Sequence, residues 1–215
     1  MDDKGLLIVL SGPSGVGKDT VFKLAASRNP NLKESVSVTT RAPRVGETEG
    51  VNYFFVSKPE YDGMLARGEF LEAQHVHGND YATPRRYLDE IRGKGYDAVL
   101  VIDVQGGLEI KRNDPEANLI FVLPQDMQTL KARLTGRDTD KIEVIRDRLA
   151  AAPNEIAAAT QYDYAIVNDS LEECVDKFLS IIKAIKQGGN ALSYAERYLS
   201  RNNLDKINTL IHGGI

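Results

Sequence analysis

Residues Leu6 to Thr20 read LLIVLSGPSGVGKDT, and this stretch decides the fold. Leu6 to Leu10 is an apolar run with the length and branching of a strand buried on both faces. Glycines at Gly12, Gly15 and Gly17 follow, then Lys18 and an apolar-periodic segment that reads as a helix. Strand, glycine loop, lysine and helix in that order describe a phosphate cradle. Successive backbone N–H groups turn toward one anion, the helix N-terminus adds the positive end of its dipole, and Lys18 reaches the terminal phosphates. The pattern is G-x-x-x-x-G-K, with Asp19 where Ser or Thr would complete it. A glycine-rich turn with a surface lysine has the same composition, but rarely follows a buried strand so directly.

Working outward, apolar runs alternate with helical patterns. Val21 to Ser27 continues the first helix, which Pro30 ends. Asp97 to Ile102 (DAVLVI) is apolar on both faces and leads into Asp103; Leu119 to Leu123 and Tyr164 to Val167 repeat the pattern. Helices are expected near Gly106–Lys111, Met127–Leu134 and Ile142–Ala159, with Leu171–Lys186 after the last strand. The fold class is therefore α/β, a parallel sheet flanked by helices and joined by right-handed crossovers. Ligands of such sheets sit at the carboxyl ends of the strands, where the glycine loop and Asp103 both fall.

Residues 35 to 84 break the alternation. SVSVTT, VNYFFV, EFLEAQHV and DYAT are short, polar-interleaved and bounded by turn signals, as in a small antiparallel insertion. The polar stretch Thr135 to Asp140 (TGRDTD) suits a hinged lid or a simple loop. Beyond Lys186 the break QGGN leads into one or two further helices over Ala191–Ile211. Their apolar residues suit either packing on the core or a subunit contact.

The 215 residues suffice for one core with small subdomains. A net charge of −4 argues against nucleic acid as a main partner, since no basic excess exists to neutralise many phosphates. A small anionic ligand held by a few arginines remains compatible. Cys174 is the only cysteine, which excludes a disulfide framework. His75 and His77 read as a plain strand pair rather than a zinc site. The N-terminus lacks an apolar signal core and no run approaches membrane-spanning length, so a cytoplasmic chain without membrane partners is expected.

A mononucleotide kinase needs a cradle for donor phosphates, a metal, an acceptor pocket and cations for the transferring phosphoryl group. Arg41 and Arg44 in TTRAPR, with Tyr53 and Tyr81, supply cations and hydroxyls suited to an acceptor phosphate. Carboxylates suit guanine, whose N1–H and exocyclic amine both donate, so Glu72 and Asp103 are candidate base readers. Taken alone, each position is better accounted for as a solvated loop or strand residue.

Taken together, over about residues 4 to 186, the chain resembles the guanylate kinases. SGPSGVGK, SVSVTTRAPRVGE, VNYFFVS, EFLE, GNDYAT, IDVQGG, LKARLTGR and VND stand in the family's order. The second of these is the most specific. The resemblance implies a P-loop core (4–34 and 85–186), a GMP-binding insertion (35–84), a mobile lid (about 135–147) and a helical C-terminal extension (187–215). It implies an ATP:GMP phosphotransferase that uses Mg2+ with ATP, accepts GMP and dGMP, and is a monomer or homodimer. ATP would be held by Gly12, Pro13, Ser14, Gly15, Val16, Gly17, Lys18, Asp19, Thr20 and Asn168. Arg41, Arg44, Tyr53 and Tyr81 would hold the GMP phosphate; Ser37, Glu72, Thr83 and Asp103 would face the guanine. Lys18, Arg133, Arg137 and Arg148 would be catalytic. Asp19 departs from the usual pattern, and as a hard oxygen donor beside Lys18 it is a candidate Mg2+ ligand.

Ala82 replaces the glycine usual in the family after Tyr81, and Val101 stands where some members carry an aspartate. Asp after the lysine also occurs in the ribose bisphosphate phosphokinases, the alternative enzyme. A non-catalytic interaction module of the same fold is the other alternative.

Overall fold

The computed structural model describes residues 4–76, 78–136, 142–188 and 195–212. Its larger sheet has five strands: β1 (Leu7–Ser11), β2 (Leu32–Glu34), β7 (Asp97–Val101), β8 (Asn118–Pro124) and β9 (Tyr164–Asn168). They stand in the order β2-β7-β1-β8-β9, and the β2–β7 and β8–β9 pairs are parallel. Helices alternate with them in sequence: α1 (Lys18–Arg28), α4 (Val104–Asn113), α5 (Met127–Thr135), α6 (Ile142–Ala157) and α7 (Leu171–Gln187). All five residues of β1 are buried, as its apolar run predicts. The expected helices form with boundaries shifted by a few residues, and Ala158–Gln161 is a separate 3-10 turn.

The smaller sheet contains β3 (Val38–Thr39), β4 (Phe54–Phe55), β5 (Phe70–Val76) and β6 (Asn79–Pro84), in the order β4-β3-β6-β5. It is mixed, which corrects the antiparallel insertion expected. β5–β6 and β3–β6 are antiparallel, but β4 runs parallel to β3. The loop from Thr40 to Tyr53 carries the chain back beside the start of β3, and Phe54 N–H then donates to Ser37 O and Val56 N–H to Thr39 O. Two helices unforeseen in the sequence flank these strands, α2 (Lys58–Ala66) and α3 (Arg85–Gly93).

By its contacts the chain divides into two compact units. Unit 1 comprises Met1–Ile8, Asn31–Leu100 and Gln105–Ala117. Val38, Tyr61, Phe70 and Ala82 form a small core there, with Phe54, Val56, Met64 and Ala73 against it. The Phe54 ring stacks on Tyr87 of α3 at 4.5 Å. Ala82 lies fully buried within β6, so an alanine Cβ fits where the family carries glycine. Asp97, fully buried, accepts from Leu6 N–H (3.0 Å) and Asn31 Nδ2 (2.9 Å), which gives its charge the partners that burial demands.

Unit 2 comprises Val9–Pro30, Val101–Val104 and Asn118–Ile215. Val21, Phe22 and Ala25 of α1 pack against α7, whose Cys174, Val175, Phe178 and Ile181 are buried. Pro153 lies inside α6 and removes one i→i−4 hydrogen bond between the turns that carry Arg148 and Glu155. The C-terminal segment packs within this unit. Leu199 bridges Tyr164 at the edge of β9, and α8 (Leu204–His212) buries Ile207 and Leu210 while touching α6. Of the expected lid, residues 137–141 lie outside the described residues.

Candidate active site

The glycine loop begins where β1 ends. Ser11 Oγ donates to the carbonyls of Ile102 (3.0 Å) and Asp103 (3.1 Å), which fixes the loop's origin beside the end of β7. Gly12 and Gly17 are required by the fold. Both have positive φ, and a Cβ would lie 2.4 Å from Val122 O at Gly12 and 2.9 Å from Asn168 Nδ2 at Gly17. Gly17 caps α1, so Lys18, Asp19 and Thr20 form its first turn, with Asp19 and Thr20 exposed. The loop's N–H groups and the helix dipole thus meet at Lys18.

Two side chains brace this loop at one point. Asn168 Nδ2 donates to Val16 O at 2.8 Å, and Arg133 Nη1 donates to the same carbonyl at 2.9 Å. Arg133 Nη2 reaches Asn168 O at 3.5 Å. The end of β9 and the last turn of α5 therefore set the loop's shape. From the opposite element, Glu155 Oε2 accepts Ser14 N–H at 3.4 Å. Burial pushes the Glu155 carboxyl above its usual range, while the charges of Lys18 and Arg148 oppose that shift and Asp103 adds to it. Glu155 escaped the sequence reading, although its spacing of seven from Arg148 puts both on one face of α6. Arg137 lies outside the described residues.

Unit 1 gathers Ser37, Arg41, Arg44, Tyr53, Glu72, Tyr81 and Thr83 on or beside the small sheet, whereas Asp103 belongs to unit 2. Glu72 and Thr83 are register partners across β5 and β6, next to an irregularity between Phe70 and Glu72 that re-aims the strand. Glu72 is only 5% exposed, and its Oε1 accepts the Thr83 hydroxyl at 2.9 Å. That bond uses one of roughly four acceptor sites a carboxylate offers.

Arg41 Nη2 donates to Glu47 Oε1 at 2.8 Å, and Arg44 N–H donates to Glu47 Oε2 at 2.7 Å. The guanidinium lies over the rings of Tyr53 (5.4 Å) and Phe55 (5.8 Å), and Tyr53 meets Tyr81 edge-on at 5.8 Å. Arg41 is held still more firmly protonated, chiefly by Glu47 and also by the Tyr81 hydroxyl. Glu47 is pulled below the ordinary carboxylate range by Arg41 and the Arg44 N–H. Behind this cluster Thr39 Oγ1 donates to Asp80 O and accepts Arg41 N–H. Asp80 itself bonds His75 Nδ1 at 2.7 Å and Lys58 Nζ at 3.0 Å, so His75 is a hydrogen-bond partner of Asp80; His77 lies outside the described residues.

No group of three or more His, Cys, Asp or Glu side chains suited to a metal occurs among the described residues. The donor set fits a cation carried on phosphates instead. Magnesium takes only one or two carboxylates beside phosphate and water, and Asp19 offers an exposed hard oxygen donor next to Lys18.

A parallel α/β sheet, a phosphate loop with its lysine, and an arginine-tyrosine cluster on an inserted sheet define a P-loop nucleotide kinase. The guanylate kinase family profile matches residues 4–185. The chain is 42% identical over 191 residues to the guanylate kinase of Carboxydothermus hydrogenoformans, spanning 89% of this chain and 94% of that one. It is 46% identical over 185 residues to the guanylate kinase of Streptococcus pneumoniae, spanning 86% and 89%. A crystal structure of guanylate kinase from Anaplasma phagocytophilum superposes with a TM-score of 0.70 at 36% identity, covering 87% of this chain and 89% of that one. The chain belongs to the guanylate kinase family.

Proposed function

We propose an assignment of residues for an ATP:GMP phosphotransferase. A phosphate oxygen of GMP attacks the γ-phosphorus of ATP, the bond from that phosphorus to the bridging oxygen breaks, and GDP and ADP result. The insertion 35–84 is the acceptor subdomain, and 4–34 with 85–186 the core. In the acceptor subdomain, Arg41 and Arg44 neutralise the GMP phosphate while Tyr53 and Tyr81 donate their hydroxyls. Glu72 accepts from the guanine N1–H and amine, with Ser37, Thr83 and Asp103 about the base. Residues Gly12 to Thr20 hold the donor phosphates, and Asn168 lies near the adenine. Lys18, Arg133, Arg137 and Arg148 compensate charge on the transferring group, the dominant task in phosphoryl transfer. Asp19 would hold Mg2+, which when bound neutralises charge on the β- and γ-phosphates. We place the reaction in the cytoplasm; among the described residues no helix is long and apolar enough to cross a membrane.

The observation that carries the acceptor choice is Glu72, a carboxylate 5% exposed and bonded to Thr83. A buried acceptor pays for its burial when it meets donors, which guanine supplies and the adenine N1 does not. Coupled measurement of ADP release with GMP, AMP, UMP and ribose bisphosphate tests it. Of these four, turnover confined to GMP is expected; preference for any other acceptor overturns the assignment.

A further inference from the structure

Glu155 has no part in the assignment above, yet it reaches into the phosphate loop. It sits two turns beyond Arg148 on the same face of α6, and its Oε2 takes the Ser14 N–H at 3.4 Å. Ser14 N–H belongs to the loop whose amides bind phosphate. The Glu155 carboxyl bonds the Ser14 amide, and the charges that act on it are those of Lys18 from α1, Asp103 from the end of β7 and Arg148 from its own helix. A bond of this length lies beyond the usual 2.7–3.2 Å for N–H to oxygen. A phosphate oxygen at normal distance makes a stronger bond to the same N–H. The carboxylate therefore tethers the loop's amide and yields to a better anion.

We propose that Glu155 is a positioning residue that competes with donor phosphate for the Ser14 N–H, so that filling the loop displaces its carboxylate. This rests on the reading that the loop binds the donor's phosphates. With the tether in place, the carboxylate lowers donor affinity by its own charge and by holding the amide. A neutral amide in its place competes less well, since bonds to charged groups are about twice as strong as neutral ones.

The test is equilibrium binding of ADP to the full chain at pH 7.5 and pH 5, without acceptor, for the wild type, E155Q and E155D. E155Q is expected to bind ADP about fivefold more tightly at pH 7.5. That advantage shrinks at pH 5, because burial strengthens the wild-type carboxyl's hold on a proton and more of it is neutral there than at pH 7.5. E155D keeps the charge but is a methylene shorter, so it also tightens ADP binding; it decides the matter if E155Q fails to fold. Equal or weaker ADP binding in the folded variant, or the same change at both pH values, overturns the proposal. Wild-type ADP binding without GMP turnover sinks the assigned reaction alone, whereas absence of ADP binding overturns both.

Discussion

Glu47 and Arg41 form an ion pair at 2.8 Å within the arginine-tyrosine cluster, with both side chains largely covered. The same carboxylate takes Arg44 N–H, so one acid sets the position of two residues assigned to the GMP phosphate. A long arginine side chain loses rotamer freedom on binding an anion, and fixing it beforehand reduces that loss. On that assignment Glu47 would be a positioning residue for GMP rather than a contact with it.

Replacing Glu47 with Gln is therefore expected to raise KM for GMP about three- to tenfold, with a smaller change in kcat. The pH dependence has a definite sign. Arg41 holds the folded-state carboxyl below its ordinary value, so the tie is complete above that value and is lost only as pH falls through the lowered one. From pH 8 to 5 the wild type should show no KM change from this pair. Initial-rate measurement of both variants across that range checks the expectation, and an unchanged KM in Glu47→Gln refutes the role.

Glu72→Gln should affect acceptor choice more than total nucleotide binding. Losing one buried acceptor leaves a guanine donor unmatched, which is expected to lower the GMP/AMP ratio of kcat/KM roughly ten- to hundredfold. Thr83→Val, which removes the hydroxyl that bonds Glu72 Oε1, should give a smaller shift in the same direction. A selectivity ratio that does not move in Glu72→Gln rules out the guanine-reading role.

Cys174 offers a probe of unit 2. Its thiol is fully buried in α7 and pushed up to about 12 by burial, so the reactive thiolate is scarce at neutral pH. Labelling by a thiol reagent should be slow in the native protein and should accelerate with denaturant in step with loss of helix. Rapid native-state labelling would contradict the burial.

The C-terminal helix contributes stability to the same unit. Ile207 is fully buried, and its replacement by Ala is expected to cost about 2–4 kcal/mol by denaturant titration. Removal of everything beyond Gln187 should destabilise the chain further. Light scattering on that truncated form separates packing within one chain, which leaves the mass unchanged, from a subunit contact.

The sequence made the donor side of this fold readable because its signals are strong and local. β1 is uniformly apolar, the glycines have fixed spacing, and Lys18 follows them directly. Other elements depend on long-range partners. β2 is three residues, LKE, with only Leu32 buried, and becomes a strand because β7 pairs with it. β3 and β4 have two residues each, and nothing local distinguishes their parallel pairing from a hairpin. α2 buries only Tyr61 and carries Gly63, so its apolar stripe is weak. α3 was more legible than the reading allowed, since Tyr87, Leu88 and Ile91 mark a helical face. Among site residues, Glu47 lay within a quoted motif but had no assigned task. Glu155 had only its spacing from Arg148 to announce it.

Asp19 carries the remaining prediction. It is exposed in the first turn of α1, directly after Lys18, where the usual P-loop hydroxyl is replaced by a carboxylate. A carboxylate is a good ligand for Mg2+, directly or through water, but it also repels the β- and γ-phosphates. At about 4 Å and an effective dielectric near 20, two unit charges interact by roughly 4 kcal/mol before counter-ions and water screen them. Attraction to the metal and repulsion from phosphate are thus of similar size, and occupancy by Mg2+ decides the sign. A first-turn carboxylate that only favours the helix N-terminus would show no such dependence. ATP use by the wild type should therefore rise more steeply with free Mg2+ than that of Asp19→Ser, and the serine form should lose less activity when the metal is scarce. The measurement is kcat/KM for ATP titrated against free Mg2+ in both proteins. Superimposable titrations would leave Asp19 as a helix-end residue with no part in metal binding.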